Sequence, residues 1–295
     1  MSCRNYSIDT VKGFLILCVI IGHVLLGSLE QNVFRYVIYS FHMPLFMFVS
    51  GYLIDVEKLS HMTMRDLFFK YWNRMIKMWL IAFVVFFMYL IMFDPTWSKA
   101  FEVLYYPWYH LWYVPTLFSY VLTVYVFFRT KKQPYLILVF LSLLWIVLLK
   151  VCPPNSLPRW CDCKQLPYFA LGLYLKNHLD IDRLLKHAYR LVLLLYFPVL
   201  LLVKKYSFFR SELISFLLLL SIIVFFLYPS IKRDLLPHNN VLCYIGRHSL
   251  NVYLWHMVPI VVLKDFVHNT AMYYLISFSL LFFYIVLVKC KLCKT

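Results

Sequence analysis

Two ionisable side chains, Lys12 and His23, lie inside the first apolar stretch of the chain. They are eleven residues apart, so on a helix they differ by roughly 20° around the axis and lie roughly 16–17 Å apart along one face. A charge in the centre of a membrane costs roughly 2.5–3.5 kcal/mol, which makes such groups functional candidates. A neutral imidazole can accept a proton near neutral pH, so His23 is a candidate general base. Asp9, one turn before Lys12, can pair with the lysine.

Both residues also have structural interpretations, because Lys12 can snorkel to the interface and His23 can be a hydrogen-bonded packing residue. Other intramembrane histidines strengthen the functional interpretation. His42 lies in the second apolar segment beside Pro44, which removes a backbone hydrogen bond and can kink a helix. His256 lies in a late segment that also contains the polar residues Arg247, Ser249 and Asn251. Histidines from three helices can lower the cost of burial for one another.

The elements that must carry these residues are membrane-spanning helices. The chain has 295 residues, of which 63% are hydrophobic and 14% charged, whereas soluble proteins are roughly a quarter charged. The segments 135–149 and 213–227 contain no charge, and about 20 apolar residues span a bilayer as a helix. No segment alternates as a transmembrane β-strand does. The sequence therefore predicts an all-α, polytopic bundle.

We predict about ten membrane-spanning helices, near 11–29, 33–54, 78–93, 111–128, 134–151, 165–176, 191–203, 213–231, 241–263 and 271–290. These spans place nineteen of the 29 Lys and Arg residues on the side of both termini and nine on the other side. This positive-inside bias predicts cytoplasmic N- and C-termini. It also accounts for the net charge of +16 without nucleic acid as a partner. The first apolar run lacks a cleavage site, so we expect it to be a retained helix.

The cysteines give weaker expectations. Cys18 and Cys243 occur in apolar runs, where cysteine usually packs as a small hydrophobic residue. One disulfide is possible among Cys152, Cys161 and Cys163. Cys290 and Cys293 form an isolated pair, and a zinc site needs four ligands, so no metal site is predicted.

Five blocks of the sequence resemble one known family. Asp9-Thr10-Val11-Lys12-Gly13 followed by Gly22-His23 resembles the first helix of the acyltransferase type 3 family, and most closely its fucose 4-O-acetylase-like branch. Four blocks follow in the family's order: 41–46 running into Ser50-Gly51-Tyr52, the basic Arg74/Lys77 stretch, Leu111-Trp112-Tyr113, and 245–256. The resemblance extends from about residue 4 to 260. Many members have Arg in place of Lys12 and a second Arg in place of Lys77.

The resemblance implies a single transmembrane domain over 1–295 that transfers an acyl group, usually acetyl, from cytoplasmic acetyl-CoA. The expected acceptor is a sugar hydroxyl of a surface polysaccharide or lipid-linked glycan, and the expected location is the inner membrane of a bacterium. By position, His23 would be the catalytic histidine, with Lys12 and Asp9 as companions. Substrate-binding residues would be His42, Trp112, Arg247, Ser249 and His256.

Two groups of residues keep two interpretations. Arg74 and Lys77 suit the phosphates of CoA, but positive residues also anchor helices on the cytoplasmic side. A second group is aromatic and lies on the predicted outer side, where it forms an interfacial belt or lines a sugar-binding groove: Trp97, Tyr105, Tyr106, Trp108, Tyr109, Trp112 and Tyr113.

Two other classes of protein remain alternatives. A transporter or flippase for a glycan or lipid-linked sugar also uses intramembrane His, Lys and Asp as proton relays, although no inverted repeat is evident in the sequence. A scaffold without catalysis would leave the polar face of the first helix as an unexplained cost. Acetylation of glycan in membranes, tested with and without His23, distinguishes the three.

Overall fold

The protein is described from a computed structural model, which defines residues 5–93, 110–129, 138, 140, 141, 144, 147, 163–178 and 218–293. All regular elements in these residues are helical. The first helices are α1 (Tyr6–Val24), α2 (Val33–Tyr52), α3 (Val56–Ser60), α4 (Met64–Tyr71), α5 (Lys77–Phe93), α6 (Tyr113–Arg129) and α7 (Leu166–His178). They are followed by α8 (Tyr228–Lys232), α9 (Asn240–Arg247), α10 (Ser249–Trp255), α11 (Met257–Phe266) and α12 (Thr270–Cys293).

Four helices in the described part are long and apolar enough to cross a membrane: Tyr6–Val24, Val33–Tyr52, Met64–Met92 and Thr270–Leu292. The chain is therefore a helical, multi-pass membrane protein, as predicted. The predicted spans 134–151 and 191–203 lie mostly or wholly outside the described residues. The total of ten spans and the cytoplasmic location of both termini stay predictions.

The third membrane helix begins earlier than predicted. The sequence suggested a hydrophilic segment over 55–77, but α4, a π-helical turn over Trp72–Ile76 and α5 form one continuous helix from Met64. The buried side chains of its first half are Leu67, Tyr71, Met75 and Trp79. In a regular α-helix, residues spaced by four would move around the helix axis by about 40° at each step, or about 120° over the three steps from Leu67 to Trp79. The extra residue of a π turn removes most of this rotation, so the four side chains stay on one face. Charge content concealed this amphipathic pattern.

The predicted helix over 241–263 is divided into α9, α10 and α11. The interruptions fall at His248 and His256, and the backbone amide of each still bonds to the carbonyl four residues earlier, at 3.2 Å and 3.0 Å. Pro259 has no N–H and its ring disfavours the carbonyl of Trp255, which explains why the helix restarts at Met257. The path therefore keeps its helical hydrogen bonds but changes local geometry beside both histidines.

The described chain forms two compact units, Met1–Phe46 with His178–Thr295, and Met47–Asn177. In the first unit, α1 packs against α9. A Cβ added to Gly246 would collide with the backbone of Asp9, and one added to Gly13 would collide with that of Leu242. Small residues allow this close approach of two helix backbones. Cys18 and Cys243 are buried in this unit, which confirms their predicted packing role.

The second unit has a similar close contact between the end of α2 and α7. A Cβ on Gly51 would meet the backbone of Phe169, and one on Gly172 would meet that of Phe48. The Lys176 ammonium donates a hydrogen bond to the Ile54 carbonyl at 2.8 Å. The cysteines for which a disulfide was considered lie outside the described residues or in side chains that are not described.

Candidate active site

The N-terminus of α1 is held by side chains that satisfy its free amides. Asn5 caps the helix by accepting a hydrogen bond from the Ile8 amide at 3.0 Å. The Asp234 carboxylate accepts from the Ser7 amide at 2.6 Å and from the Tyr6 amide at 3.3 Å. The first amides of a helix have no partner within the helix, so these contacts fix the start of α1.

One turn further, α1 is fixed to α9 by an ion pair. The buried Asp9 carboxylate lies 3.7 Å from Nε of Arg247, whose side chain is 38% exposed. The sequence had suggested Lys12 as the partner of Asp9 and substrate as the partner of Arg247. Lys12 is half-buried on the same helix, and its pairing with Asp9 stays a prediction.

His23 lies in the last turn of α1. The sequence placed it partway through a helix of residues 11–29, but α1 ends at Val24 because Leu25 adopts an extended conformation. The Leu26 amide then donates to the Tyr274 hydroxyl at 2.9 Å, and Gly27 takes a positive φ of 89°. His23 therefore lies at the end of the helix opposite Lys12 and Asp9.

The ring of His23 is part of a cluster built from α1, α2 and the α10–α11 junction. The His23 and His256 rings are 5.3 Å apart between centroids. The Tyr39 hydroxyl is 3.2 Å from Nδ1 of His23, and the Tyr39 ring is 5.0 Å from that of His42. The structure thus brings together three of the predicted site residues, His23, His42 and His256.

Local hydrogen bonds set the tautomers of two histidines. Nδ1 of His42 lies 2.6 Å from the Ile38 carbonyl, and Nδ1 of His256 lies 2.7 Å from the Tyr253 carbonyl. A carbonyl oxygen only accepts, so Nδ1 carries the proton in both rings and Nε2 carries the lone pair of the neutral form.

His23 differs from its two neighbours in access. His42 and His256 are buried, at 3% and 8% exposure, whereas His23 is only partly buried. A general base must come within hydrogen-bond reach of the proton that it takes, so His23 is the member of the cluster that can meet a substrate.

Among the described residues, no group of three His, Cys, Asp or Glu side chains has an arrangement that could hold a metal ion.

Three residues beside the cluster were not predicted from the sequence. Tyr39 could have been found, because it lies three residues before His42 and so on a neighbouring face of the same helix. Arg35 lies one turn before Tyr39, with its guanidinium carbon 5.3 Å from the centre of the tyrosine ring. The Lys264 ammonium is 3.4 Å from the carbonyl of His23, a contact that no local pattern reveals.

The remaining predicted residues lie elsewhere. Ser249 is buried at the start of α10. Arg74 and Lys77 belong to the second unit, where both are exposed, Arg74 in the π turn and Lys77 at the start of α5. Trp112 lies in the same unit, with its ring edge-on to that of Tyr113 at 6.3 Å. The other aromatic residues of the predicted belt or groove, Trp97 to Tyr109, lie outside the described residues.

Comparison with known proteins gives a match over nearly the whole chain. Residues 5–290 match the acyltransferase domain family Acyl_transf_3. A stretch of 57 residues is 44% identical to Nodulation protein NolL of Sinorhizobium fredii and 47% identical to NolL of Mesorhizobium japonicum. These matches cover 17% of this chain and only 16% and 15% of the two relatives. No solved structure matches the chain.

Proposed function

Because this chain belongs to the Acyl_transf_3 acyltransferase family, we propose that it transfers an acetyl group from acetyl-CoA to a sugar hydroxyl. The acceptor in this proposal is a surface polysaccharide or a lipid-linked glycan, and the location is the inner membrane of a bacterium. The observation that carries the proposal is the partly exposed His23 ring, held by Tyr39 and His256 in a multi-pass membrane acyltransferase. The fucose 4-O-acetylase-like branch is part of the same proposal.

In the proposed reaction, His23 accepts the proton of the sugar hydroxyl and later gives it to CoA. With the Nδ1–H of His23 donated to the Tyr39 oxygen, Nε2 accepts the proton of the sugar hydroxyl as that oxygen attacks the thioester carbonyl. The new C–O bond forms, the C–S bond breaks, and the thiolate of CoA takes the proton from the imidazolium. The products are the sugar ester and free CoA, and His23 returns to its neutral form.

The other predicted residues have supporting parts in this proposal. His42 and His256, predicted from the sequence as substrate-binding residues, form the buried wall behind the His23 ring and hold it toward the acceptor. Lys12, on the same helix and roughly 16–17 Å from His23 along its axis, faces the donor. Arg74 and Lys77 bind the phosphates of CoA, as charged donors commonly do. Asp9 acts through Arg247 to hold α1 in place, and Trp112 and Ser249 remain candidates for acceptor contacts.

The test is acetyl transfer in membranes that contain the full chain. Radiolabelled acetyl-CoA is supplied with the glycan fraction of the host, and incorporation by the wild type is compared with that of His23→Ala. Loss of a general base costs about 10²- to 10⁴-fold in rate. His61→Ala, which removes an exposed histidine between α3 and α4, is the matched control and should acetylate at the wild-type rate.

Two outcomes would contradict the proposal. If His23→Ala is folded and inserted and still acetylates normally, His23 is not the catalytic base. If cells that lack the protein acetylate their glycan normally but fail to deliver it to the surface, the protein is a transporter or flippase. Mass spectrometry of surface glycan from cells with and without the protein measures both acetylation and delivery.

A further inference from the structure

Two cations meet at the C-terminal end of α1, beside His23. Arg35 donates a hydrogen bond from Nη1 to the Gly27 carbonyl, and Lys264 donates from Nζ to the His23 carbonyl at 3.4 Å. Both carbonyls belong to the short stretch 23–27, so the two side chains reach the same end of the helix. Like charges held together cost free energy unless an opposite charge compensates them.

Neither cation belongs to an ion pair shown in the described residues. The ion pairs shown there are Lys58 with Asp55 and Arg247 with Asp9. The Nε–H of Arg35 is also buried without a hydrogen-bond partner among the described residues. An unpartnered buried donor is unusual in a native protein and calls for a specific explanation.

Capping of α1 explains only part of the arrangement. Basic side chains do bond to the last carbonyls of helices, and Lys264 makes such a bond to His23, whereas Arg35 bonds to Gly27 in the loop beyond the end of α1. The C-terminus of a helix carries about half a negative charge, however, and two cations carry two positive charges. About one and a half positive charges therefore remain beside the candidate base, together with the N–H donors that the two carbonyls do not use.

The position of this charge relates it to the acceptor and not to the donor. Arg35 lies over the ring of Tyr39, and the hydroxyl of Tyr39 contacts His23. Lys12 and Asp9, where the donor side is proposed, lie at the other end of α1. An oxyanion bound by the two cations would therefore lie at the same end of α1 as the hydroxyl that His23 deprotonates.

We propose that Arg35 and Lys264 form an oxyanion-binding subsite, and that the acceptor glycan carries a phosphate or carboxylate on or next to the sugar that is acylated. The guanidinium of Arg35 suits this role because it binds such groups through paired N–H donors. Lys264 is at an exposed position and adds a mobile point charge. This inference rests on the proposed function and specifies the substrate class of the same site.

The first test is the charge of the natural product. Membranes containing the full chain are supplied with radiolabelled acetyl-CoA, and the labelled glycan is separated by anion exchange. We expect the label in the retained, anionic fraction, where phosphatase sensitivity distinguishes a phosphate from a carboxylate. Label confined to the unretained, neutral fraction would overturn the inference. If the wild-type protein incorporates no label into any glycan, the proposed function itself is wrong.

The second test uses the retained glycan fraction as acceptor for the purified variants Arg35→Gln, Lys264→Gln and their double. Loss of one charge-assisted contact should raise the KM for this acceptor about tenfold, and loss of both more steeply. We expect kcat to change less than about threefold and the KM for acetyl-CoA to stay constant. Lys289→Gln removes an exposed charge on α12 and is the matched control. Arg35→Lys, which keeps the charge, should recover part of the affinity.

Three results would overturn the assignment of the subsite while leaving the proposed function intact. In the first, the charge variants match Lys289→Gln in every kinetic constant. In the second, the KM for acetyl-CoA rises, which would assign the cations to the donor's phosphates. The third result is an effect that depends on anionic lipid, and it is measured by reconstitution in phosphatidylcholine with and without phosphatidylglycerol. A variant effect present only with the anionic lipid would assign the cations to the bilayer. Melting temperatures equal to that of the wild type show that the variants are folded.

Discussion

The two ends of α1 differ in how closely they are packed and in which charged side chains surround them. At the N-terminal end, Asp9 is paired with Arg247, and Gly13 and Gly246 bring two helix backbones into contact. Asp9 and Arg247 compensate each other there, and the backbones leave no space for another side chain between the two glycines. That end therefore fixes the position of the helix.

At the C-terminal end the helix stops beside groups that remain available for chemistry. His23 is partly exposed, Tyr39 contacts its ring, and Arg35 and Lys264 add charge without a carboxylate partner among the ion pairs of the described residues. The difference indicates two roles: a closely packed, ion-paired end holds the helix, and an open, charged end positions a base and an acceptor. Four predictions test this comparison, from the largest expected effect to the smallest.

The largest effect is expected from a methyl group at the closed end. In Gly246→Ala the added Cβ collides with the backbone of Asp9, so the two helices must separate, at a cost of about 3 kcal/mol. Gly27→Ala is the matched substitution at the open end. Its added Cβ meets nothing closer than 3.5 Å, so it incurs only the strain of a positive φ, about 1–2 kcal/mol. Thermal unfolding in detergent measures both, and equal losses would contradict the contrast between the two ends.

The second prediction concerns the open end alone. Tyr39→Phe removes the hydroxyl beside Nδ1 of His23 and keeps the ring under Arg35. A hydrogen bond is worth about 1 kcal/mol net, so we expect kcat to fall about fivefold, with the KM for acetyl-CoA and the melting temperature unchanged. Tyr36→Phe removes a hydroxyl nearly one turn away on the same helix and should leave kcat unchanged. A fall in melting temperature that matches the fall in kcat would make Tyr39 a structural residue and not a positioning one.

The comparison also shows which features the sequence could predict. Apolar length predicted α1, α2 and α12, and the cost of burying imidazole indicated that His23, His42 and His256 belong together. The ion pair of Asp9 with Arg247 was not predictable, because the two residues are far apart in sequence and only the packing of α1 against α9 brings them together. The pairing of Asp9 with Lys12 stays a prediction. The start of the third membrane helix at Met64 was missed because its charged residues concealed the π turn that keeps its buried face aligned. The contact of Lys264 with His23 depends on where two helices end, which spacing does not determine.

The third prediction weakens the closed end without adding volume. Asp9→Asn, Arg247→Gln and the double variant form a double-mutant cycle for the ion pair. Because Arg247 is 38% exposed, solvent screening limits the coupling to about 0.5–1 kcal/mol. Unfolding free energies supply the coupling, and the rate of acetyl transfer should fall no more than the folded fraction does. If Asp9→Asn lowers kcat while stability is unchanged, Asp9 takes part in catalysis, as the sequence first suggested.

The smallest effect is expected from pH at the very start of α1. Burial raises the pKa of Asp234, but hydrogen bonds from the Ser7 hydroxyl and amide and from the Tyr6 amide outweigh it, so the pKa is lowered overall. A lowered pKa in the folded state means that the carboxylate stabilises the protein above its unfolded pKa of about 3.9, and that this stabilisation disappears as pH falls below that value. The exposed position and the screened helix terminus limit this stabilisation to less than about 1 kcal/mol.

The difference in melting temperature between wild type and Asp234→Asn should therefore be largest near pH 7 and shrink by pH 3.5. Glu57→Gln, at an exposed site on α3, is the control and should show no such trend. A difference that stays constant across this range would show that the Asp234 charge does not anchor α1, which would leave the cap of Asn5 and the contact with α9 to hold the closed end.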